Sequence, residues 1–174
     1  IFVPWYALEY YDVTQEKMLV EQGEYRFSAG ASSADIRQEL ECTVSGEVIP
    51  PRNLSHSICI KNYDSKHGIE ITLRFSYRKN DWYGCTNDCG GSFTFADADF
   101  AGYTKAELWA AAPCSQAGVT IYAGEQQLGS VEILPSRSMD DFQLYTIPLK
   151  PYTGQADLRL EITGMASVYR IQLG

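Results

Sequence analysis

The chain contains no run of about eighteen apolar residues, so no helix of it is built to cross a membrane. It has no cluster of lysine and arginine. Fourteen basic residues stand against 22 acidic ones, a net charge of −8 over 174 residues. Nucleic acid and anionic membrane surfaces reward clustered positive charge, so neither is expected as a partner. Histidine is scarce, with only His56 and His67, which fall in no ligand spacing. No stretch keeps an apolar period of 3.6 residues for three turns, apart from a patch around Lys105 to Ala112 that alternates equally well as a strand. The first residues, Ile1-Phe2-Val3-Pro4-Trp5, carry no basic leader and no cleavage site, which is silent on export.

Five cysteines are present: Cys42, Cys59, Cys85, Cys89 and Cys114. The odd count leaves at least one thiol unpaired and points toward a reducing, cytoplasmic-type compartment. Cys85-Thr86-Asn87-Asp88-Cys89 reads as a small disulfide loop, half a metal site or two free thiols on a loop. A zinc site needs two further ligands, and none is suitably spaced, so two free thiols is the preferred reading.

What is present is alternation. With 45% hydrophobic and 21% charged residues the composition is that of a folded protein. In the first 44 or so residues a hairpin-like run, Met18 to Phe27, leads to a strand in which Ile36, Leu40, Cys42 and Val44 share one face and Arg37, Glu39 and Glu41 the other. Three or so strands with one apolar face need a partner sheet. Two consecutive prolines, Pro50-Pro51, cannot continue a sheet ladder, so residues 47–54 read as a linker. Beyond it, Ala106, Leu108, Ala110 and Ala112 alternate with Lys105, Glu107 and Trp109. Val119 to Tyr122 faces Ser130 to Ile133 across a turn at Gly124-Glu125-Gln126-Gln127, and 157–162 and 169–173 close the chain. Short strands separated by Gly, Asn, Asp and Pro predict an all-β antiparallel sandwich of jelly-roll type over residues 55–174.

Two constellations invite a catalytic reading. Ser55-His56-Ser57 with Cys59 suggests a nucleophile, and Asp97 with Asp99, on one strand face, suggests paired carboxylates. Neither has the third member or the activating surroundings that catalysis requires, so no catalytic residue is assigned.

The segment Val20-Glu21-Gln22-Gly23-Glu24-Tyr25, followed by Ala29-Gly30-Ala31-Ser32-Ser33-Ala34-Asp35-Ile36-Arg37 and preceded by Tyr11-Asp12, resembles the end of the fibronectin type III-like domain of family 3 glycoside hydrolases. The resemblance implies that residues 1–46 are the last strands of such a domain. It implies further that the parent is a β-glucosidase-like enzyme that retains stereochemistry through two carboxylates outside this chain. The rest resembles a family 6-type carbohydrate-binding module: Ile60-Lys61-Asn62-Tyr63-Asp64, Gly68-Ile69, Gly90-Gly91-Ser92-Phe93-Thr94-Phe95, Ala98-Asp99-Phe100, Phe142-Gln143-Leu144-Tyr145, then Leu158-Arg159-Leu160 to Ile171-Gln172-Leu173.

Sugars offer a patch of C–H groups and a fringe of hydroxyls, which aromatic faces and polar side chains respectively accommodate. Carried onto this sequence, the resemblance makes Phe142 and either Trp82 or Tyr83 the stacking residues, with Asp140, Asp141, Asn87 and Asp88 as hydroxyl partners. The implied partners are a β-linked oligosaccharide or glucoside, the catalytic part of the same enzyme and, in addition, a second copy of the chain. Several positions depart from the family pattern. Its C-terminal asparagine is Ser167 and the neighbouring tryptophan is Arg170. The positions that hold a structural calcium read Lys61, about Thr72, and Tyr169, a set without the anionic oxygens calcium needs, so no cofactor is expected. These departures keep open a second reading, a structural or dimerising sandwich without sugar binding.

Overall fold

The structure, a computed structural model, describes residues 2–74, 81–113 and 115–174. The chain divides into two compact units between Pro50 and Pro51. Cys114 lies outside the described residues; Cys42, Cys59, Cys85 and Cys89 are free thiols.

In the smaller unit a 3-10 turn, Trp5–Leu8, precedes β1 (Tyr10–Asp12), which pairs with β2 (Lys17–Leu19). Asp12 closes the connection: its carboxylate accepts the Thr14 and Gln15 amides, each at 2.7 Å, as an Asx-type turn requires. The Tyr10 hydroxyl donates to Glu21 at 2.9 Å, and its pKa is pushed up to about 12, first by burial and then by that bond. β3 (Gly23–Ser32) and β4 (Asp35–Val44) form a long antiparallel hairpin, with Tyr25 opposite Cys42 and Phe27 opposite Leu40. The expected alternation of β4 is interrupted by a register shift that leaves Arg37 extra between Ile36 and Gln38, and its apolar side chains are open: Leu40 is 63% exposed and Ile36 43%. Leu19, Val20 and Val44 are the buried apolar residues of this unit.

The expected linker is taken up from both sides. Glu47 pairs back with Val20 and Gln22 through backbone bonds of 2.8 and 2.9 Å. Arg52 opens the larger unit: it is buried, donates to the Asn62 carbonyl and to Asp64, and lies over the Phe95 ring. Leu54 is a fully buried core residue.

The larger unit is a sandwich of two six-stranded sheets. Its short leading strands are β5 (Arg52–Asn53), β6 (Ile58–Cys59) and β7 (Ser65–His67). β8 (Ile69–Arg74), β9 (Asp81–Thr86), β10 (Gly91–Ala101) and β11 (Lys105–Ala111) follow. β12 (Ala117–Ala123) and β13 (Gln126–Ile133) form a hairpin. β14 (Gln143–Pro148), β15 (Thr153–Thr163) and β16 (Ser167–Leu173) complete it. One sheet runs β13-β12-β15-β10, with β5 and β7 joined to β10; the other runs β14-β11-β16-β9-β8, with β6 joined to β16. All pairings are antiparallel except β5 with β10. Inward positions of both sheets, among them Phe93, Phe95, Phe100, Ile121, Leu158 and Leu160 against Leu108, Ile147, Val168 and Ile171, form one core.

Two details differ from the sequence reading. The β12–β13 turn is two residues long, Gly124 and Glu125, because Ala123 already pairs with Gln126; Gly124 supplies the left-handed φ of 54°. β10 carries a bulge between Phe95 and Ala98, with Asp97 at φ 49° and its amide donating to Asp157. Asp97 and Asp99 therefore do not share a regular strand face, and the carboxylate that the Asp97 amide meets is that of Asp157 on the neighbouring strand β15. Lys105–Ala111 is a strand.

The connections that follow β9, β11, β13 and β15 emerge at one end of the sandwich. The pairings Ser167 with Cys85 and with Ala111, and Ala110 with Gln143, bring those strand ends together.

Candidate functional site

At that end the segment 134–142 is stitched down before it reaches β14. The Ser136 amide donates to the Ala112 carbonyl at 2.8 Å and the Ala112 amide returns to Ser136 Oγ at 3.1 Å. Ser136 Oγ bonds the Ser138 carbonyl, Ser138 Oγ donates to Asp140 Oδ1 at 2.5 Å, and the Arg137 amide donates to Asp141 Oδ2 at 3.2 Å. Short polar side chains bonding their own backbone are what let an irregular loop hold one shape. One oxygen of each of Asp140 and Asp141 is thereby engaged in holding the loop, and both residues are half-buried.

This loop delivers Phe142 into a cluster of rings. Phe142 stacks on Tyr169, with centroids 5.4 Å apart and planes 26° from parallel, and meets Tyr83 edge-on at 5.4 Å and 71°. The Arg170 guanidinium lies 4.3 Å from the centre of the Tyr169 ring, and its Nη2 donates to the Tyr169 hydroxyl at 2.5 Å. A bulge makes this possible: Arg170 pairs with Trp109 and Val168 with Ala110, so Tyr169 is an extra residue and both it and Arg170 are half-buried rather than alternating in and out.

The predicted site residues are thus distributed unevenly. Phe142, Tyr83, Asp140 and Asp141 belong to the loop and its ring cluster, but Tyr83 is only 9% exposed, with its ring against Phe142. A sugar cannot enter between Tyr83 and Tyr169, because Phe142 already fills that space; what the cluster offers is a rigid platform, not a slot. Trp82 is 39% exposed, and its carbonyl accepts from the Cys59 thiol at 3.8 Å, an interaction on the β6 side of β9. Asn87 is exposed in the turn after β9, where its side-chain oxygen accepts the Cys89 amide at 2.9 Å. Ser167 is fully buried and donates to the Met139 sulfur at 3.4 Å, so a side chain of the loop lies against it.

Tyr169, which the resemblance marks only as a calcium position, is the ring on which Phe142 stacks. The signal in the sequence was the pair Tyr169-Arg170, two large polar residues in succession where a strand should alternate. The three positions of the expected calcium site do different things. Lys61 is exposed, the Thr72 hydroxyl lies 3.6 Å from the Cys85 sulfur, and Tyr169 is in the ring stack. Among the described residues no group of three or more His, Cys, Asp or Glu gathers in a way that holds a metal ion.

No family model and no curated protein matches the chain. Solved structures do. A family 6 carbohydrate-binding module from Clostridium stercorarium, determined with cellobiose, superimposes with a TM-score of 0.64 at 21% identity, over 73% of this chain and 98% of that one. Over the matched part, the chain has the fold of family 6 carbohydrate-binding modules. A β-1,3-glucan-binding module of the same family from Bacillus halodurans gives 0.64 at 17% identity, over 70% of this chain and 96% of its own. An arabinoxylan arabinofuranohydrolase of glycoside hydrolase family 43 from Bacillus subtilis, determined with cellotetraose, gives 0.66 at 10% identity, over 84% of this chain and 32% of that one. At such identities the likeness is one of architecture, and it accounts for the two-sheet topology.

Proposed function

We propose that the larger unit is a non-catalytic carbohydrate-binding module whose ligand is a β-linked oligosaccharide. The observation that carries this reading is Phe142: a half-buried ring fixed by Tyr169 and Tyr83 where a stitched loop enters β14, with two half-buried carboxylates, Asp140 and Asp141, immediately before it. A fixed aromatic surface beside polar acceptors suits the C–H patch and hydroxyl fringe of a pyranose. The fold is shared with modules described as bound to cellobiose or as binding β-1,3-glucan, which supports the same ligand class here. Trp82 and Asn87 extend the proposed polar and aromatic rim.

The test is a titration of the full chain with cello-, xylo- and laminari-oligosaccharides, followed by tryptophan fluorescence and amide chemical shifts. Saturable shifts in residues 138–142 are expected, and Phe142→Ala should weaken binding about tenfold, equivalent to about 1.4 kcal/mol. Unchanged spectra with all three series would sink the proposal. The second reading, a structural or dimerising sandwich, is favoured by the buried Tyr83, and that outcome would leave it standing.

We propose further that this module serves a retaining family 3-type β-glycosidase, residues 1–46 corresponding to the last strands of its fibronectin type III-like domain. The open apolar face of the β3–β4 hairpin supports this, since two strands with Leu40 and Ile36 exposed need a covering sheet. A chain that is soluble and monomeric by itself would overturn the assignment of the smaller unit. The module is also proposed to hold its fold without calcium, for want of anionic oxygens at Lys61, Thr72 and Tyr169. Excess chelator is accordingly expected to leave the melting temperature unchanged, and a drop would refute it.

A further inference from the structure

We propose that the sugar taken at Phe142 is an acidic one, a hexuronate whose carboxylate pairs with the Arg170 guanidinium. The proposal rests on the carbohydrate-binding reading above and narrows its ligand class.

Arg170 is a charge without a counter-charge. Three arginines are buried or half-buried among the residues whose burial is described: Arg52, Arg159 and Arg170. Arg52 is met by Asp64 at 2.9 Å, and Arg159 by Glu161 and, at 4.0 Å, by Glu125. Among the described residues no carboxylate forms an ion pair with Arg170. Its partners are neutral: the Tyr169 hydroxyl, to which Nη2 donates, and the Tyr169 ring, 4.3 Å away. Its Nε is buried with no hydrogen-bond partner. Asp140 and Asp141 of the neighbouring loop give their oxygens to Ser138 Oγ and the Arg137 amide instead. Withdrawing a charge from water is costly, and a single phenol offsets little of that cost. An anion completes the set. Nη1 and the second N–H of Nη2 form a planar fork, which a carboxylate matches with two parallel bonds.

The charge stands beside the platform. The bulge in β16 sets Tyr169 and Arg170 side by side, and Tyr169 is also the ring on which Phe142 stacks, 5.4 Å away. The aromatic surface and the guanidinium therefore share one neighbour, so that a pyranose lying on Phe142 turns an exocyclic carboxylate toward the cation. Arg170 also stands where the resemblance places a tryptophan, so a neutral ring is exchanged for a positive charge. The overall charge of −8 does not oppose an anion here, because residues 51–174 hold 11 basic against 13 acidic residues.

The experiment is a calorimetric titration of the full chain with cellobiose and with cellobiouronic acid, in which a carboxylate replaces the hydroxymethyl group of one glucose. The acid is expected to bind about tenfold more tightly at low salt. Most of that gain should disappear in about 0.5 M sodium chloride. Arg170→Gln should bring the two affinities together. Arg170→Lys, which keeps the charge without the planar fork, should retain part of the preference and guards against a folding defect. Equal affinities in the wild-type chain overturn the proposal and leave the Phe142 platform in place. A preference that survives Arg170→Gln puts the anion elsewhere and overturns it as well. Cellobiose sulfated at the same C6 oxygen carries the charge on a different group, and binding as tight as the acid's would overturn the carboxylate assignment. Absence of binding by all three sugars overturns both this proposal and the reading beneath it.

Discussion

Replacing Gly90 by alanine is expected to destabilise the larger unit by about 3 kcal/mol, lowering its melting temperature by roughly 10 °C. Two costs add at this position. Gly90 has a φ of 75°, where an L-residue is strained by about 1–2 kcal/mol. A methyl group there would also lie 2.2 Å from the Ile162 carbonyl oxygen and 3.2 Å from Thr163 Cα. Both neighbours are backbone, and Ile162 is held by its pairing with Gly91, so neither can retreat without opening the β10–β15 ladder. Gly102 is the control. Its φ of 76° is the same, but a Cβ would meet only the Thr153 Cγ2 methyl at 3.5 Å. Gly102→Ala should therefore show the dihedral cost alone, about 1 kcal/mol. Equal losses in the two variants by thermal or urea denaturation would show that the close approach of the chain at Gly90 carries none of the cost.

The architecture of the larger unit was legible because nearly every strand writes its burial in alternation. Ala106, Leu108 and Ala110 against Lys105, Glu107 and Trp109 is the burial pattern of β11 itself. What alternation cannot convey is a place where it stops. The bulges at Asp97 and Tyr169 each insert one residue, and both changed a functional reading: the first dissolved a pair of carboxylates, the second created the ring stack. The setting of Tyr83 is hidden for a related reason. An aromatic before a glycine reads as a loop residue, but Asp81–Thr86 is a strand, and Gly84 faces inward to make room for a ring from the opposite sheet. The polar side chains of the loop 134–142 are engaged within the chain itself. Ser136, Ser138, Asp140 and Asp141 bond to one another and to the chain before they are offered to any ligand. A site built by long-range stitching onto Ala112 leaves no local signature, because the partner lies 24 residues away.

The platform geometry has an energetic consequence for binding. A slot between two aromatic faces must be desolvated and held open, whereas the Tyr83–Phe142–Tyr169 cluster is packed before any ligand arrives. Little ordering is left for a ligand to impose, but only one surface of Phe142 is available to it. Affinity at such a surface grows by adding neighbouring contacts rather than by deepening one.

Removing the ring that underlies this arrangement is expected to have a large effect. Phe93→Ala should cost about 3–5 kcal/mol, a large share of the 5–15 kcal/mol typical of a folded domain. Phe93 is fully buried, packs against Tyr63 with centroids 6.0 Å apart, and projects to β9 of the opposite sheet. There it meets Gly84 so closely that a Cβ would lie 2.1 Å from its Cζ and 3.0 Å from its Cε2. Gly84→Ala by itself should accordingly destabilise by about 1–3 kcal/mol through overpacking. In a Phe93→Ala background the obstructing ring is gone and the added methyl enters vacated space, so the double variant should be more stable than the two single losses predict, by about 1 kcal/mol or more. Urea denaturation of the four proteins measures that coupling, and strict additivity would mean the ring does not rest on Gly84. The contact also reaches the proposed ligand surface. Tyr83 precedes Gly84 and meets Phe142, so the seat of Phe93 on β9 sets where the platform's inner ring stands. Phe93→Ala should then weaken oligosaccharide binding under conditions where the variant remains folded, although Phe93 itself is out of reach of any ligand.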